Sequence, residues 1–483
     1  MHDEVDDRLL HPNGIDGTTG TFLLKPLTYR QAADAAKVEQ QPRDQVSWLR
    51  WVWRLFSQVH LGLPLGFDPT DLTQAGWGVV VHQDESDEAK RALLPLIDHR
   101  RKTAGDARTR VLEYQRTDKG RRGWLARHGI AEGVFDPTKV PYYLLLAGSP
   151  GRIPFEFYHH LGVEYCVGWI DFDCTEDLRC YVQSLIDYET SPTIPNSKEA
   201  VFFAPRHDSD KATQLSADYL VKPLAGDQAL AGAGAAQPSV PQRYGFTTRL
   251  YLGKDASKEA LFNTLNGIGS QPAFLMTASH GIGWRAGHSQ QRSTQGALLC
   301  QDWPGIGSPA RPDHYFGARD ILAEARVHGL IAFLFACYGA GTPDRDRFFT
   351  KAGEPPKIIA ERPFLAALPK ALLSHRNGGA LACVGHVERA WGYSITPRNA
   401  GVQLQPFESA IANILSGKPV GLALRDFSTR FASLSTSLAD KLRDISAGAQ
   451  VPDDELASDW IERNDAGGYL VFGDPGVRLR TPC

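Results

Sequence analysis

The sequence predicts an α/β fold built on a mostly parallel sheet that is flanked by helices. Strands that are apolar along their whole length recur through the chain, for example at residues 143–148 and 330–337. Stretches with helical periodicity separate them, as at residues 88–102. Because a strand that is buried on both faces reads as a continuous apolar run, this alternation is typical of a parallel sheet covered on both sides.

Composition is that of an ordinary globular protein. The chain has 483 residues, a formal net charge of −3 and 42 % hydrophobic residues, which suits two or three domains or subdomains. So small a net charge gives no reason to expect nucleic acid or a membrane as the main partner. The acidic start, residues 1–7, lacks the apolar core of a secretory signal, and no apolar stretch reaches the length of a membrane-spanning helix.

The seven cysteines are scattered and form no CxxC pair. This spacing disfavours both a disulfide scaffold and a zinc ribbon, and no metal or cofactor is predicted. We therefore expect a cytoplasmic protein whose thiols stay reduced.

The elements follow in two series after a region, residues 1–75, with little periodic signal beyond a helix near residues 47–55. A low-complexity connector at 229–236 interrupts the second series. The first series is predicted as strand 76–82, helix 88–102, strand 141–148, strand 163–171 and helix 175–188. The second is predicted as strands 200–205, 247–252, 272–279, 330–337 and 380–387, a helix at 360–375, and a last strand and turn at 468–475.

Two neighbouring strands of the second series end in residues that can do chemistry. Strand 272–279 runs into His280 and Gly281, and strand 330–337 ends at Cys337 before a glycine-containing turn. Since ligands of parallel sheets bind beyond the carboxyl ends of the strands, the sequence predicts a cysteine–histidine dyad there. The imidazole takes the thiol proton and later returns it to a leaving amine. The N–H groups of Gly281 and Cys337 are the predicted oxyanion hole.

Each of these two signals has a plainer interpretation. A cysteine after an apolar strand is often an inert core residue, and a His-Gly pair at a strand end is often only a turn. Their joint occurrence, in this order and at equivalent strand ends, favours the dyad. His386, which follows the next apolar strand, is a competing candidate for the base.

These motifs resemble those of the caspase-like (clan CD) cysteine peptidases, with the greatest likeness to gingipain-type and CHAT-type members. The resemblance lies first in Ser279-His280-Gly281 followed by Ala336-Cys337-Tyr338-Gly339. Outside the dyad, residues 143–154 resemble the strand and turn of a gingipain-like first subdomain. The following strand and helix, and the closing Gly-Asp-Pro segment, are similar at residues 167–169, 175–178, 187–189 and 470–475. Ser149 stands where the family commonly has Asp, and Trp169 where it commonly has Arg.

The resemblance implies two adjacent caspase-like subdomains after an N-terminal extension of residues 1–75. The non-catalytic subdomain would span 76–195, and the catalytic one 198–480. It implies a cysteine-type endopeptidase that cleaves protein substrates through the His280/Cys337 dyad, with the acyl-enzyme on Cys337. It also disfavours His386 as the base, since the family's strand and loop at that position line the substrate cleft. By analogy, an intracellular protease of this kind acts in bacterial antiviral defence or programmed death.

The charged residues near plausible cleft positions indicate the charge of the pocket for the P1 residue. A basic P1 residue needs a buried carboxylate, whereas an acidic one needs arginines. The carboxylates outnumber the arginines, so a basic P1 residue is predicted, with Trp391 as a pocket wall or, alternatively, a core residue. The carboxylates are Glu156, Glu164, Asp171, Asp173, Asp344 and Glu388, of which Glu164, Asp171 and Glu388 are our candidates for substrate binding, and the arginines are Arg345, Arg347 and Arg389.

The polar, proline-containing segment 342–357 directly follows the nucleophile, and we expect it to be cut by an activating protease in a zymogen. Two other functions remain open at this point: a caspase-like scaffold that binds partners without turnover, and a thiol-dependent acyl hydrolase or transferase acting on small molecules. The sequence has neither a phosphate-binding glycine loop followed by Lys-Ser/Thr nor an HExxH motif, which disfavours nucleotide hydrolysis and zincin chemistry.

Overall fold

The fold is taken from a computed structural model that describes residues 9–39, 66–226, 238–267, 269–346, 355–392, 395 and 401–480. The helix predicted near residues 47–55 and the connector at 229–236 lie outside the described residues.

The main sheet has ten strands in the described part of the chain, in the order β2-β1-β3-β4-β10-β9-β8-β7-β5-β6. All neighbouring strands are parallel except β9 and β10. The predicted α/β class with a mostly parallel, helix-flanked sheet is therefore confirmed. Numbered in chain order, the strands are β1 (Trp77–His82), β2 (Thr109–Tyr114), β3 (Tyr143–Ala147), β4 (Cys166–Ile170), β5 (Ser197–Ala204), β6 (Thr247–Leu252), β7 (Pro272–Ala278), β8 (Ile331–Phe335), β9 (Ala382–His386) and β10 (Tyr469–Gly473).

Helices lie between the strands in chain order and pack over the sheet. The longer ones are α1 (Tyr29–Glu39), α2 (Asp87–Ala104), α3 (Gly120–Arg127), α4 (Phe155–Leu161), α5 (Thr175–Thr190), α6 (Lys258–Leu265), α7 (Ala367–Leu373), α8 (Gln405–Leu415), α9 (Arg425–Ser446) and α10 (Asp453–Gly467). Short helical turns occur at Leu72–Ala75, Lys211–Leu215, Lys222–Ala225, Val240–Arg243 and Gln291–Thr294. Helix α2 packs on α5, α9 on α10, and α1 on α10. No helix in the described ranges is long and apolar enough to cross a membrane.

The sheet has two halves, β1 to β4 and β5 to β9, with β10 between them. Strand β10 is antiparallel to β9, with Ala382 opposite Gly473. Asp474, directly after β10, accepts from Nε1 of Trp77, the first residue of β1, at 2.9 Å. We call the rim at which strands β5 to β9 end the upper rim; it contains Ala204, Ala278 and His386, the last residues of β5, β7 and β9.

A single buried cluster runs through the strands of both halves, from Leu72 to Leu479. Each fully buried aliphatic or aromatic side chain in it contributes about 1.5–3 kcal/mol relative to exposure. A buried ion-pair group adds a polar connection, because Arg100 of α2 binds Glu189 of α5 at 2.7 Å and Asp474 after β10 at 2.9 Å. The end of β10 is thus attached to the helices of the first half.

Residues 9–28 of the N-terminal extension lie on the upper rim. Leu9–Leu10 pairs antiparallel with Leu27–Thr28, and Ile15–Asp16 pairs in parallel with Ile282–Gly283, directly after His280. Helix α1 continues from this region and packs on α10. The sequence patterns gave no expectation for these contacts.

Candidate active site

The register of two central strands brings His280 and Cys337 to neighbouring positions. Strands β7 and β8 pair in parallel with Ala278 opposite Phe335, so the chains that carry His280 and Cys337 leave the sheet side by side. The Ser279 N–H continues the ladder beyond the strand by donating to the Phe335 carbonyl at 3.1 Å. Parallel pairing in this register therefore brings the two residues to the same rim of the sheet.

Gly281 lies directly against the main chain of Cys337. A Cβ atom at Gly281 would overlap the carbonyl oxygen of Cys337 and lie 3.0 Å from its nitrogen. Only glycine allows this approach, which puts the two proposed oxyanion-hole residues on touching backbones. Their role as donors to an oxyanion stays a prediction.

His280 is held through both ring nitrogens. Its Nε2 lies 2.5 Å from Asp210 Oδ2, and its Nδ1 accepts a hydrogen bond of 2.9 Å from the Gly14 N–H. A backbone N–H can only donate, so Nδ1 carries no proton in this state and Nε2 is the protonated nitrogen that donates to the carboxylate. Nδ1 is therefore the nitrogen left to act as a base.

Asp210 is the site residue that sequence reasoning missed. It is fully buried, and its Oδ1 also accepts from the Ala212 N–H at 3.1 Å at the start of the turn Lys211–Leu215. Burial alone would raise the pKa of this carboxyl, but the attraction and the hydrogen bond of His280 outweigh it and the pKa is lowered. A signal existed, because Asp210 follows β5, the strand next to β7, beyond the same end.

Cys337 is completely buried. Its Sγ accepts from the Ala390 N–H at 3.2 Å and lies 3.8 Å from the Ala390 carbonyl, to which the thiol donates. Burial raises the pKa of the thiol to about 12, against a smaller opposing effect of the Ala390 N–H. The sulfur is therefore a neutral thiol in this state and not yet a nucleophile.

The N-terminal chain passes between the two members of the dyad. Gly14, whose N–H is bonded to His280, has φ +97°, and a Cβ atom there would lie 3.1 Å from Cys337 Sγ and 2.7 Å from Leu23. One backbone residue therefore touches both the imidazole and the sulfur.

Glu388 and Trp391 lie on the loop after β9, beside Cys337. The Glu388 carbonyl accepts from the Tyr338 N–H at 2.6 Å, and both residues have positive φ values, 75° and 58°. Such conformations are costly for non-glycine residues and are retained mostly at functional sites. Trp391 is fully buried, donates its backbone N–H to the Asp465 side chain at 2.8 Å, and packs in a cluster with Leu10 of the N-terminal segment.

A buried ion-pair group adjoins this loop. Arg389 binds Asp346 through two hydrogen bonds of 2.9 and 2.7 Å and Glu388 through one of 3.1 Å. All three side chains are at least nine-tenths buried. The group combines two carboxylates with one guanidinium.

The other two candidates for substrate binding are engaged in ion pairs of their own. Glu164 forms an ion pair of 2.9 Å with Arg121 in the first half of the sheet. Asp171 follows the carboxyl end of β4 and faces Lys370 at 3.8 Å. Their roles in substrate binding stay predictions.

His386 is engaged elsewhere. Its Nε2 lies 3.0 Å from the Asp465 carbonyl, and its ring packs edge-on to Tyr469 at 5.0 Å. Burial lowers the pKa of its imidazole. Of the two candidate bases, His280 is the one that is hydrogen-bonded to Gly14, the residue that lies against Cys337 Sγ.

No family model matches this chain, and no curated protein does. Solved structures with a similar fold include one titled "Structure of Protease", 14 % identical, covering 85 % of this chain and 80 % of that chain with a TM-score of 0.44. Another is the complex of the pro- and mature domains of RgpB from Porphyromonas gingivalis, 13 % identical, covering 84 % of this chain and 80 % of that chain with a TM-score of 0.42. Among the described residues, no group of three or more His, Cys, Asp or Glu side chains could hold a metal ion.

Proposed function

We propose that this protein is a cysteine endopeptidase in which Cys337 is the nucleophile, His280 the general base and Asp210 the residue that orients His280. The observation that carries the proposal is the fixed imidazole: Nε2 is bound to a buried carboxylate, and Nδ1 contacts the residue that also touches Sγ. A carboxylate–imidazole–thiol series is the arrangement that nucleophilic acyl transfer requires.

The proposed reaction proceeds in two halves. His280 Nδ1 takes the thiol proton, and the thiolate adds to the substrate carbonyl carbon while the N–H groups of Gly281 and Cys337 donate to the oxyanion. The imidazolium, stabilised by Asp210, gives its proton to the leaving amine as the C–N bond breaks and a thioester remains. Water, deprotonated by His280, then hydrolyses the thioester.

A basic P1 residue is proposed for the substrate. The buried carboxylates of Asp346 and Glu388 lie next to the loop that contacts Cys337. A basic side chain in a buried pocket needs a carboxylate nearby, since charged groups are tolerated in buried sites when they are paired.

Activation by a cut in segment 342–357 is proposed as well, with residues 347–354 lying outside the described part. The flanks of the segment are paired, because the Asp346 N–H donates to the Lys357 carbonyl and the Ile359 N–H to the Asp344 carbonyl, both at 2.8 Å. Cleavage between these flanks would leave both ends attached to the fold. A cytoplasmic location and a role in antiviral defence are proposed from the sequence alone.

One observation favours the scaffold as a second candidate. The thiol is fully buried and its pKa is raised to about 12, which is the condition of an inert core cysteine. In that case the molecule would bind partners and cleave nothing.

The test is cleavage of fluorogenic peptides with Arg, Lys, Asp or Leu at P1 by the wild type, Cys337→Ala and Cys383→Ala. Cys383 is the matched control, since it is also fully buried and lies on the neighbouring strand β9. The set is repeated with Gly14→Val, because a side chain at position 14 cannot stay against Sγ. We expect turnover, best after Arg or Lys, that is lost with Cys337→Ala and kept with Cys383→Ala. Absence of turnover in every variant of the Gly14→Val set would support the scaffold.

A further inference from the structure

We propose that residues 14–23 form a built-in plug that occupies the candidate active site and keeps it closed until the segment is displaced intact. We call these residues the N-terminal hairpin. That the hairpin closes an active site rests on the proposed function. The position of the hairpin itself follows from its contacts.

The hairpin is a small, self-supported unit. The Leu23 N–H donates to the Gly14 carbonyl at 3.0 Å, and the Asp16 N–H donates to the Thr21 carbonyl at 2.8 Å. Between them the Asp16 side chain accepts from the Thr18 N–H at 2.8 Å and caps the turn. The segment therefore enters the site as a preformed two-stranded element, wider than a single extended peptide.

The hairpin is attached to the rim by strand addition. The Ile15 N–H donates to the Gly281 carbonyl at 3.3 Å, and the Gly17 N–H donates to the Gly283 carbonyl at 2.9 Å. Main-chain pairing of this kind is a common way in which proteins bind peptides. The fully buried side chain of Ile15 adds an apolar anchor, since it packs in one cluster with Trp284.

At the dyad the hairpin takes the place that a substrate needs. Its Gly14 N–H uses the lone pair of His280 Nδ1, the only ring nitrogen that is free to act as a base. Its Phe22 ring packs edge-on to the His280 ring at 6.0 Å. A Cβ atom at Gly14 would lie 3.1 Å from Cys337 Sγ, so the main chain of the hairpin borders the sulfur on the side that faces His280.

The binding geometry is that of an inhibitor and not of a peptide about to be cut. Cleavage before Gly14 would require His280 Nδ1 to deliver a proton to the Gly14 nitrogen, yet this nitrogen already directs its own hydrogen at Nδ1. The thiol hydrogen points to the Ala390 carbonyl and not to the imidazole. We therefore expect the hairpin to stay uncut while it is bound.

Both ends of the hairpin are tethered to the body of the protein. Leu9–Leu10 pairs with Leu27–Thr28 next to it, and Leu10 packs with Trp391 and Trp460. Because the hairpin is part of the same chain, its effective concentration at the site is on the order of millimolar, and it rebinds rapidly after each opening. A ligand or partner that opens the site has to compete with this local concentration.

The experiment measures how fast iodoacetamide alkylates Cys337 in the full-length chain, with the exposed Cys174 as an internal reference. The test variant is Gly14→Val, and Gly105→Val is its control, because Gly105 has a similarly positive φ, +84°, but open space around its Cβ position. We expect Gly14→Val to raise the alkylation rate of Cys337 relative to Cys174 by at least about tenfold, which corresponds to a loss of about 1.4 kcal/mol in the free energy that holds the hairpin in the site. We expect Gly105→Val to leave the rate unchanged. Ile15→Asp is a second test variant with the same expected result as Gly14→Val, since its charge cannot remain in the buried anchor site.

Three results would overturn the proposal. One is an unchanged Cys337 rate in both Gly14→Val and Ile15→Asp, and another is an equal rise in Gly105→Val. The third is a wild-type chain that begins at Gly14 when the Cys337→Ala chain does not, because the segment would then be a substrate of the enzyme.

The same variants separate the plug from the proposed function. Faster alkylation of Cys337 without cleavage of any peptide supports the plug and counts against the peptidase. Equal peptide cleavage by the wild type and Gly14→Val, with unchanged alkylation, supports the peptidase and overturns the plug.

Discussion

The contact between Asp210 and His280 yields the sharpest prediction about catalysis. Asp210→Asn keeps the shape of the side chain but removes the charge from a fully buried hydrogen bond of 2.5 Å to the imidazole. A hydrogen bond to a charged group contributes about 1.5–3 kcal/mol. If the imidazolium loses that stabilisation only in the transition state, kcat/KM falls by a factor of about 10 to 150.

The assay is kcat/KM for the preferred fluorogenic peptide, measured in the Gly14→Val background so that the hairpin does not limit the rate. The matched control is Asp208→Asn, because the Asp208 side chain is fully exposed two positions away. We expect the control to stay within twofold of the parent. Because the pKa of Asp210 is lowered, its carboxylate stays charged to a lower pH than that of an ordinary aspartate. The support that it gives to His280 is lost as the pH falls through this lowered pKa.

An Asp210→Asn variant that folds normally and keeps the parent value of kcat/KM would refute this reasoning. In that event the short contact with His280 would be structural only, and the loss would appear in the free energy of unfolding, where an unpaired buried partner costs about 1–3 kcal/mol.

Three further predictions concern the neighbourhood of the site and the core. Gly281→Ala lowers the free energy of unfolding by more than about 3 kcal/mol in urea titrations, because its Cβ atom would overlap the main chain of Cys337. In the wild type the alkylation rate of Cys337 keeps rising beyond pH 10, since burial raises the pKa of its thiol to about 12, whereas in Gly14→Val the rate levels off at lower pH because the exposed thiol ionises more readily. Burial would raise the pKa of Glu189, but Arg100 holds it at about 2; the folded state therefore gains stability from this group above about pH 4.5 and loses it as the pH falls towards 2, which thermal unfolding between pH 6 and 2 records.

Each of these has a control and a contrary outcome. Gly151→Ala is the control, because φ at Gly151 is not positive either and the nearest atom to its Cβ position, Ser149 Oγ, is 3.6 Å away. It should cost less than Gly281→Ala; equal costs would mean that crowding by the neighbouring main chain plays no part. Coinciding pH curves for the wild type and Gly14→Val would contradict the role of burial at the thiol. An acid loss of stability that persists in Glu189→Gln would have to come from another carboxylate.

Local patterns were sufficient to predict the strands that carry the dyad. The apolar runs that end at His280 and Cys337 are fully buried strands, β7 and β8, and their parallel pairing alone brings the two ends together. The fold class followed from the same signal. Each of these inferences depends only on burial along a single segment and on pairing between neighbouring strands.

The partners of individual charged side chains could not be predicted in this way. A charge that follows a strand does not reveal which side chain it pairs with. Glu164 and Asp171 were chosen for their charge, and the structure pairs them with Arg121 and Lys370. Asp210 was overlooked because a loop of irregular structure returns it to the rim.

The N-terminal hairpin escaped sequence analysis for a different reason. Its paired segments are only two residues long, too short for any periodicity, and its partner strand Ile282–Gly283 is far away along the chain. Glycine, aspartate and threonine at residues 14–21 indicate turns, but turn residues do not reveal what a turn rests against. Long-range contacts of this kind depend on the assembled surface.

Strand β10 has a consequence for how the molecule is made. It lies in the middle of the sheet, between β4 and β9, although Tyr469–Gly473 is the last strand of the sheet along the chain. During synthesis every other strand leaves the ribosome first, and the sheet retains an unfilled central position until β10 arrives. Pairing over such long separations in sequence is slow. A protein with the chemistry proposed here would thus complete its active site only after this strand is translated. The ribosome and the growing chain would therefore not be exposed to an active protease during synthesis.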